Sequence, residues 1–235
     1  MAMDLNMQAG NSSFLVPHRY PGRLIAAEGL DGSGKSTQLH LLSFWLRAEG
    51  YEVILSEWIS SKLIKRALKA GRKQGSSDPR LLSLLHAADI AEMHQSDVVP
   101  ALQRGAIVLA DRYIYTALAR DLARGVELEW ARTVYQFATR PDLNIYFQIS
   151  AEEALRRSLS TNPLLKYEHR AGMEHTAPTA PMDSIDSFRA FQQRVLDAYE
   201  TMGNRFAFLY LDAMLPVKQQ QQQLREAVQH ILPGD

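Results

Sequence analysis

The chain has 235 residues and an apolar content typical of a globular protein, which predicts one domain with a single large core. Its formal net charge is zero, which weighs against a nucleic-acid partner held by bulk charge. Cysteine is absent, which excludes disulfides, thiolate catalysis and cysteine-based metal sites and agrees with a cytoplasmic location.

The N-terminal segment, residues 1–20, is polar and has no hydrophobic periodicity. We expect a loose, disordered tail there, followed by one domain at 21–235. The segment lacks the basic and apolar regions of a signal peptide, and no apolar run approaches the ~20 residues that span a bilayer. The sequence therefore predicts no membrane partner.

A glycine-rich loop follows the first predicted strand, at 23–28, and precedes the first predicted helix, at 35–49. Its spacing, Gly29-xxxx-Gly34-Lys35-Ser36, is that of a Walker A phosphate loop, and the motif requires this strand–loop–helix context. The glycines let backbone N–H groups point at phosphate oxygens, the lysine can reach the β- and γ-phosphates, and the serine offers a hydroxyl to Mg²⁺. The residues predicted to contact the ATP phosphates are Gly29, Asp31, Gly32, Ser33, Gly34, Lys35, Ser36 and Thr37.

Short apolar runs alternate with helical patterns along the rest of the chain. Further strands are predicted at 53–55, 106–110, 143–149 and 206–211. Helices are predicted at 60–70, 79–94, 97–104, 114–124, 127–139, 151–159, 184–202 and 217–231. This alternation predicts a doubly wound parallel α/β sheet, in which ligands bind at the carboxyl ends of the strands. The sequence Asp111-Arg112-Tyr113 follows the third strand and is expected to face the phosphate loop.

The phosphate loop, Asp111-Arg112-Tyr113 with Thr116, and Arg140-Pro141-Asp142-Leu143 together resemble the thymidylate kinase family of nucleoside monophosphate kinases. The pattern Phe191-Gln192 followed by Tyr199 is similar to the family's late helix, and the resemblance spans residues 23–212. It implies a three-layer sandwich with a five-stranded parallel sheet and a mobile lid at about 160–181. It also implies Mg²⁺-dependent transfer of the ATP γ-phosphoryl group to dTMP, and the family commonly forms dimers.

The same resemblance implies roles for individual residues. Asp111 would hold Mg²⁺ together with Ser36, and Arg112 would lie beside the transferring phosphoryl group. Tyr113 would line the acceptor site, and Asp31 would contact the sugar 3′-hydroxyl. Some members carry an arginine in the phosphate loop where this chain has Gly32, and members without it draw catalytic arginines from the lid. The predicted catalytic residues are Lys35, Asp111, Arg112, Arg156, Arg157 and Arg170.

The acceptor side departs from the family pattern. Ser56-Glu57-Trp58 replaces Arg-Glu-Pro, so an arginine for the monophosphate is missing, and His86 and Ile90 replace a base-stacking phenylalanine and a base-contacting arginine. Arg120-Asp121 replaces Tyr-Gln, and we hypothesise that these two residues rebuild the pocket. Lys62 and Arg66 are alternative phosphate contacts, and Trp58 and His86 either contact the base or pack as walls. The predicted acceptor residues are Asp31, Trp58, His86, Arg112, Tyr113, Thr116, Arg120 and Asp121.

Two other functions remain open at this stage. One is a P-loop kinase that acts on a different nucleotide or on a nucleoside. The other is a nucleotide-binding regulatory ATPase. A kinase consumes ATP in proportion to an added acceptor, whereas a regulatory ATPase needs none.

Overall fold

The structure is a computed structural model and describes residues 14–58, 61–73, 78–161, 181–203 and 205–232. Its centre is a five-stranded, all-parallel sheet with the strand order β2-β3-β1-β4-β5. The strands are β1 (Arg23–Gly29), β2 (Val53–Glu57), β3 (Ile107–Asp111), β4 (Leu143–Gln148) and β5 (Leu209–Asp212). The predicted fold class is confirmed.

Helices cover both faces of the sheet. They are α1 (Lys35–Ala48), α2 (Lys62–Lys73), α3 (Pro79–Met93), α4 (Val99–Gln103), α5 (Ile114–Ala123), α6 (Leu128–Tyr135), α7 (Ala151–Thr161), α8 (Pro181–Gly203) and α9 (Val217–Gln229). A π-helical turn, His94–Val98, joins α3 to α4. Asp78 caps α3, because its carboxylate accepts the N–H groups of Arg80 and Leu81.

Three predicted boundaries are wrong. Helix α2 passes through Gly71, where we expected it to end, since a glycine inside a helix costs only about 1 kcal/mol. Helix α6 ends at Tyr135 rather than near residue 139. The last strand begins at Leu209 because Phe206 and Phe208, which we counted in it, are buried in the core ahead of the strand.

Residues 14–20 pack against the domain and are not part of a loose tail. Leu15 is buried in the core, and backbone hydrogen bonds join Val16 to Ala138 and Arg140. His18 contacts Asp142 at 3.0 Å. Phe14 and Leu15 both pack on the hydrophobic core, although the segment lacks hydrophobic periodicity. Residues 1–13 lie outside the described residues.

Strand β1 occupies the middle of the sheet, and its sequence explains why. Leu24, Ile25, Ala26 and Ala27 are fully buried, as expected for a strand covered on both faces. Pairing with β3 and β4 places Ala27 beside Asp111 and Gly29 beside Phe147. The phosphate loop and the segment after β3 therefore emerge side by side at one edge of the sheet. None of the helices in the described ranges is both long and apolar enough to cross a membrane.

Candidate active site

The phosphate loop bends at three glycines with positive φ angles, 135° at Gly29, 87° at Gly32 and 88° at Gly34. Gly34 is the N-cap of α1, so the loop leads directly into a helix N-terminus. The positive end of the helix dipole lies at this point, and Ser36 and Thr37 in the first turn of α1 are exposed. This geometry suits an anion such as a nucleotide phosphate.

Helix α7 packs directly on the loop at Gly32. A Cβ atom at this position would overlap the carbonyl oxygen of Ala154 and would lie 2.7 Å from the Ser158 hydroxyl oxygen. Only glycine fits there without a backbone shift, which explains why the loop carries no arginine. Charge for the transferring phosphoryl group must come from elsewhere in the chain.

Lys35 is buried at the start of α1. Its ammonium group donates to the carbonyl oxygen of Leu30 at 2.9 Å and to the Ser33 hydroxyl at 3.3 Å. Burial, and secondly the charge of Arg112, lower the pKa of Lys35 to about 7, while Asp111 and Asp31 oppose this shift. The lysine is held inside the loop, where it can exchange these two acceptors for phosphate oxygens.

Arg112 presents its guanidinium group from a strained turn after β3. It has a φ angle of 73°, which is unusual for a residue other than glycine. Its backbone N–H bonds to the Ala27 carbonyl at 3.0 Å, and its guanidinium donates to the Gly29 carbonyl at 3.1 Å. The turn therefore aims Arg112 at the phosphate loop, as predicted.

Asp31 lies between two arginines at the centre of the site. The Asp31 carboxylate pairs with Arg112 and, at 3.2 Å, with Arg120. Gln192 from α8 approaches the same carboxylate at 3.5 Å. Burial lowers the pKa of Arg120 to about 10, and Asp31 limits this shift, so the side chain is still cationic near neutral pH. Two buried guanidinium groups thus converge on one anionic position.

Trp58 and His86 form an aromatic wall beside Arg120. The Arg120 guanidinium carbon lies 5.3 Å from the centre of the Trp58 ring, and the Trp58 and His86 rings are 4.8 Å apart. Ser56 and Ile90 are buried, and Ile90 lies in the hydrophobic core. The Ile90 side chain therefore packs in the core and does not take the base-contacting role that the resemblance implies for an arginine at this position.

The structure separates two predicted acceptor residues from this group. Asp121 is fully buried, where it accepts from Ser83 and, at 3.0 Å, from the Tyr135 hydroxyl. Adjacent residues of a helix point about 100° apart, so Asp121 faces α3 and α6 while Arg120 faces Asp31. The Tyr113 side chain is also fully buried in the core, and only its backbone N–H turns towards the site, to Glu28.

Two of the predicted catalytic arginines, Arg156 and Arg157, lie on α7 and form ion pairs there. Arg156 and Arg157 both pair with Glu153 on α7, and Arg157 also donates to the Ala213 carbonyl at 3.0 Å. Arg156 is 69% exposed. Arg170 and the predicted lid lie outside the described residues, apart from the lid's outermost positions, which belong to α7 and α8.

Sequence analysis missed three residues at the base of the site, namely Glu28, Gln192 and Tyr199. Glu28 ends the first strand and directly precedes the phosphate loop, but it was given no role of its own. Gln192 and Tyr199 are seven residues apart on α8, so they share one helix face, and this spacing is the signal that could have identified them. Burial raises the pKa of Glu28 to about 7, although Thr116, Arg112 and the Tyr113 N–H oppose the shift.

A phosphate loop at the carboxyl end of a central parallel strand, with two arginines converging beside it, defines the class of P-loop nucleotide kinases. The model of one such family, thymidylate kinase, matches residues 27–224. The chain therefore belongs to the thymidylate kinase family and is a phosphotransferase, which confirms the resemblance.

Individual relatives agree with this assignment. A probable thymidylate kinase 2 of Saccharolobus solfataricus is 34% identical over 206 residues, which cover 87% of this chain and 94% of the relative. A probable thymidylate kinase of Pyrococcus abyssi is 32% identical over 220 residues, which cover 91% of this chain and 98% of the relative. A thymidylate kinase of Exiguobacterium is 30% identical over 197 residues, which cover 75% of this chain and 93% of the relative.

Proposed function

We propose that this chain transfers the γ-phosphoryl group of ATP to dTMP, and that Arg112 and Arg120 together bind the acceptor phosphate. The observation that carries the proposal is the convergence of both guanidinium groups on the Asp31 carboxylate. An anion already occupies the position between two buried cations, and a monophosphate is an anion of matching bidentate geometry. Arg120 thus supplies the charge that position 56 lacks.

Binding of dTMP in this arrangement exchanges one anion for another. The phosphate takes the guanidinium groups of Arg112 and Arg120, and the Asp31 carboxylate becomes available to the sugar 3′-hydroxyl. Trp58 and His86 form the wall next to the base. In this assignment Asp31 contacts the sugar, as the family resemblance implies. Arg120 binds the acceptor phosphate, a role for which the family pattern has no arginine at this position.

Catalysis then depends on positioning and charge. An acceptor phosphate oxygen attacks the γ-phosphorus, the bond from that phosphorus to the β–γ bridging oxygen breaks, and ADP leaves with the electron pair. Lys35 and the loop N–H groups stabilise the negative charge on the phosphates, and Arg112 lies where the two substrates meet. Arg156, Arg157 and Arg170 are proposed to add charge from the lid side.

Magnesium fits the oxygens present here. Within the described residues no group of three or more His, Cys, Asp or Glu side chains can hold a metal alone. Ser36 and Asp111 offer one hydroxyl and one carboxylate, which suits Mg²⁺ because this ion keeps several waters and takes further ligands from nucleotide phosphates. When bound, it would neutralise phosphate charge.

The proposal extends to the whole protein as a single kinase domain at 21–235 in the cytoplasm, with nucleotides rather than nucleic acid as partners. We also propose a homodimer. Leu81 and Leu84 lie on one face of α3 and are 44% and 51% exposed, which is unusual for two leucines one turn apart.

The test is coupled ADP release with Mg-ATP and a panel of acceptors: dTMP, dUMP, UMP, CMP, AMP, GMP and thymidine. We expect release proportional to dTMP and the highest kcat/KM for that acceptor. A preference for another monophosphate would contradict the choice of base, and ATP hydrolysis independent of acceptor would support the regulatory ATPase instead.

A further inference from the structure

A cluster of three polar side chains lies beneath the phosphate loop. Glu28 comes from β1, Thr116 from α5 and Tyr199 from α8, and all three are buried. Thr116 is one of the predicted acceptor residues, but it is fully buried and its hydroxyl contacts Glu28 and Tyr199. Any role in phosphoryl transfer must therefore act through the groups they hold.

Hydrogen bonds connect the cluster to the phosphate loop. The N–H of Gly29 donates to the Tyr199 hydroxyl at 3.3 Å, and the hydroxyls of Tyr199 and Thr116 are 2.8 Å apart. The Thr116 hydroxyl donates to one oxygen of Glu28, and the Tyr199 hydroxyl approaches the same oxygen at 3.3 Å. The Thr116 hydroxyl also accepts from the Arg112 guanidinium at 3.5 Å. The cluster therefore contacts both the first glycine of the loop and the arginine opposite it.

The other oxygen of Glu28 holds the turn that carries Arg112. It accepts the N–H of Tyr113 at 3.1 Å, directly after the strained backbone of Arg112. The bond from the Arg112 N–H to Ala27, the residue before Glu28, fixes the other side of this turn. One carboxylate therefore connects the phosphate loop to the arginine opposite it.

We infer that Glu28, Thr116 and Tyr199 are positioning residues. They hold Gly29 of the phosphate loop and Arg112 at the relative positions that phosphoryl transfer requires. The inference rests on the proposed function, because it assigns these residues a part in that reaction. Arg120 still holds the acceptor phosphate when Arg112 is displaced by a fraction of an ångström, so the displacement should affect the transition state more than substrate binding. The expected signature is a fall in kcat with smaller changes in either KM.

The first experiment compares Tyr199→Phe with Tyr146→Phe in the full-length chain. The Tyr146 ring packs on Tyr199 with centroids 4.7 Å apart, but its hydroxyl has no hydrogen-bond partner among the described residues. We expect Tyr199→Phe to lower kcat by about tenfold, with both KM values within about threefold of wild type, since a buried N–H loses its acceptor. Tyr146→Phe should match the wild type.

Thermal unfolding distinguishes a positioning role in the reaction from a purely stabilising role in the fold. A Tyr199→Phe protein with wild-type kcat and only a lowered unfolding temperature would overturn the inference, as would equal kcat losses in both tyrosine variants. A wild-type protein without dTMP-dependent turnover would instead overturn the proposed function, and this inference with it.

A second pair of variants decides the matter if Tyr199→Phe does not fold. Thr116→Ser keeps the hydroxyl, and Thr116→Val keeps the shape without it. We expect the serine variant to exceed the valine variant in kcat by about tenfold, because only serine keeps the hydroxyl that contacts Glu28, Tyr199 and Arg112. Equal kcat values in the two variants would overturn the inference.

Discussion

Two neighbouring residues of α5 show how strongly side-chain direction governs function. Arg120 points to Asp31 and Trp58, whereas Asp121 points to Ser83 and Tyr135. The first is the residue that we propose to bind the acceptor phosphate, and the second joins α5 to α3 and α6. The sequence presents them as a dipeptide, and only the helix geometry separates their roles.

The buried carboxyl group of Asp121 predicts a pH dependence of stability. Burial raises its pKa to about 6 from an ordinary 3.8, although Ser83 and Arg124 oppose the shift. The folded protein therefore binds this proton more tightly than the unfolded chain, so the stabilisation is complete below about pH 4 and is lost as the pH rises through 6.

Urea denaturation of the wild type and Asp121→Asn at several pH values tests this dependence. Between pH 4 and pH 7 the free energy of unfolding of the wild type should fall relative to the variant by about 1–3 kcal/mol. A difference between the two proteins that does not change with pH would contradict the assignment.

At the scale of elements, α7 acts as a wall of the phosphate loop. Contact of its backbone with Gly32 links the loop conformation to the start of the predicted lid. A side chain at this position must displace either the loop or the helix.

Gly32→Ala measures the strength of that contact, and Gly50→Ala is its control. Both glycines have φ angles near 90°, but a Cβ at Gly50 meets nothing within 4 Å. Gly50→Ala should lower the free energy of unfolding by about 1–2 kcal/mol from the φ angle alone. Gly32→Ala should lose about 1–3 kcal/mol more from overpacking. Equal losses in urea denaturation would show that α7 does not press on the loop.

The elements differ in how far the sequence predicts them. Four-residue apolar stretches such as Leu24–Ala27 identify buried strands, and the Walker A spacing identifies the phosphate loop from local chemistry alone. Gln192 reaches Asp31 from 161 positions away in sequence, so only tertiary packing reveals it. Phe206 and Phe208 were read as a strand because apolar content does not distinguish a buried loop from a paired strand.

At the scale of the molecule, the exposed leucines of α3 predict the oligomeric state. We expect light scattering to give a dimer for the wild type and a monomer for Leu84→Glu, because a charge at the centre of the apolar face opposes burial. Phe44→Glu is the control, since Phe44 is 67% exposed on α1. A monomeric wild type, or a dimeric Leu84→Glu protein, would contradict the proposed interface.

The central claim is that Arg120 binds the acceptor phosphate, and calorimetry with dTMP and thymidine tests it most directly. Thymidine lacks the phosphate, so Arg120→Ala should weaken dTMP binding by about tenfold or more and leave thymidine binding unchanged. Arg104→Ala removes an exposed arginine paired with Glu52 and should bind both ligands as the wild type does. An Arg120→Ala protein that binds dTMP with wild-type affinity, or loses both ligands equally, would contradict the account.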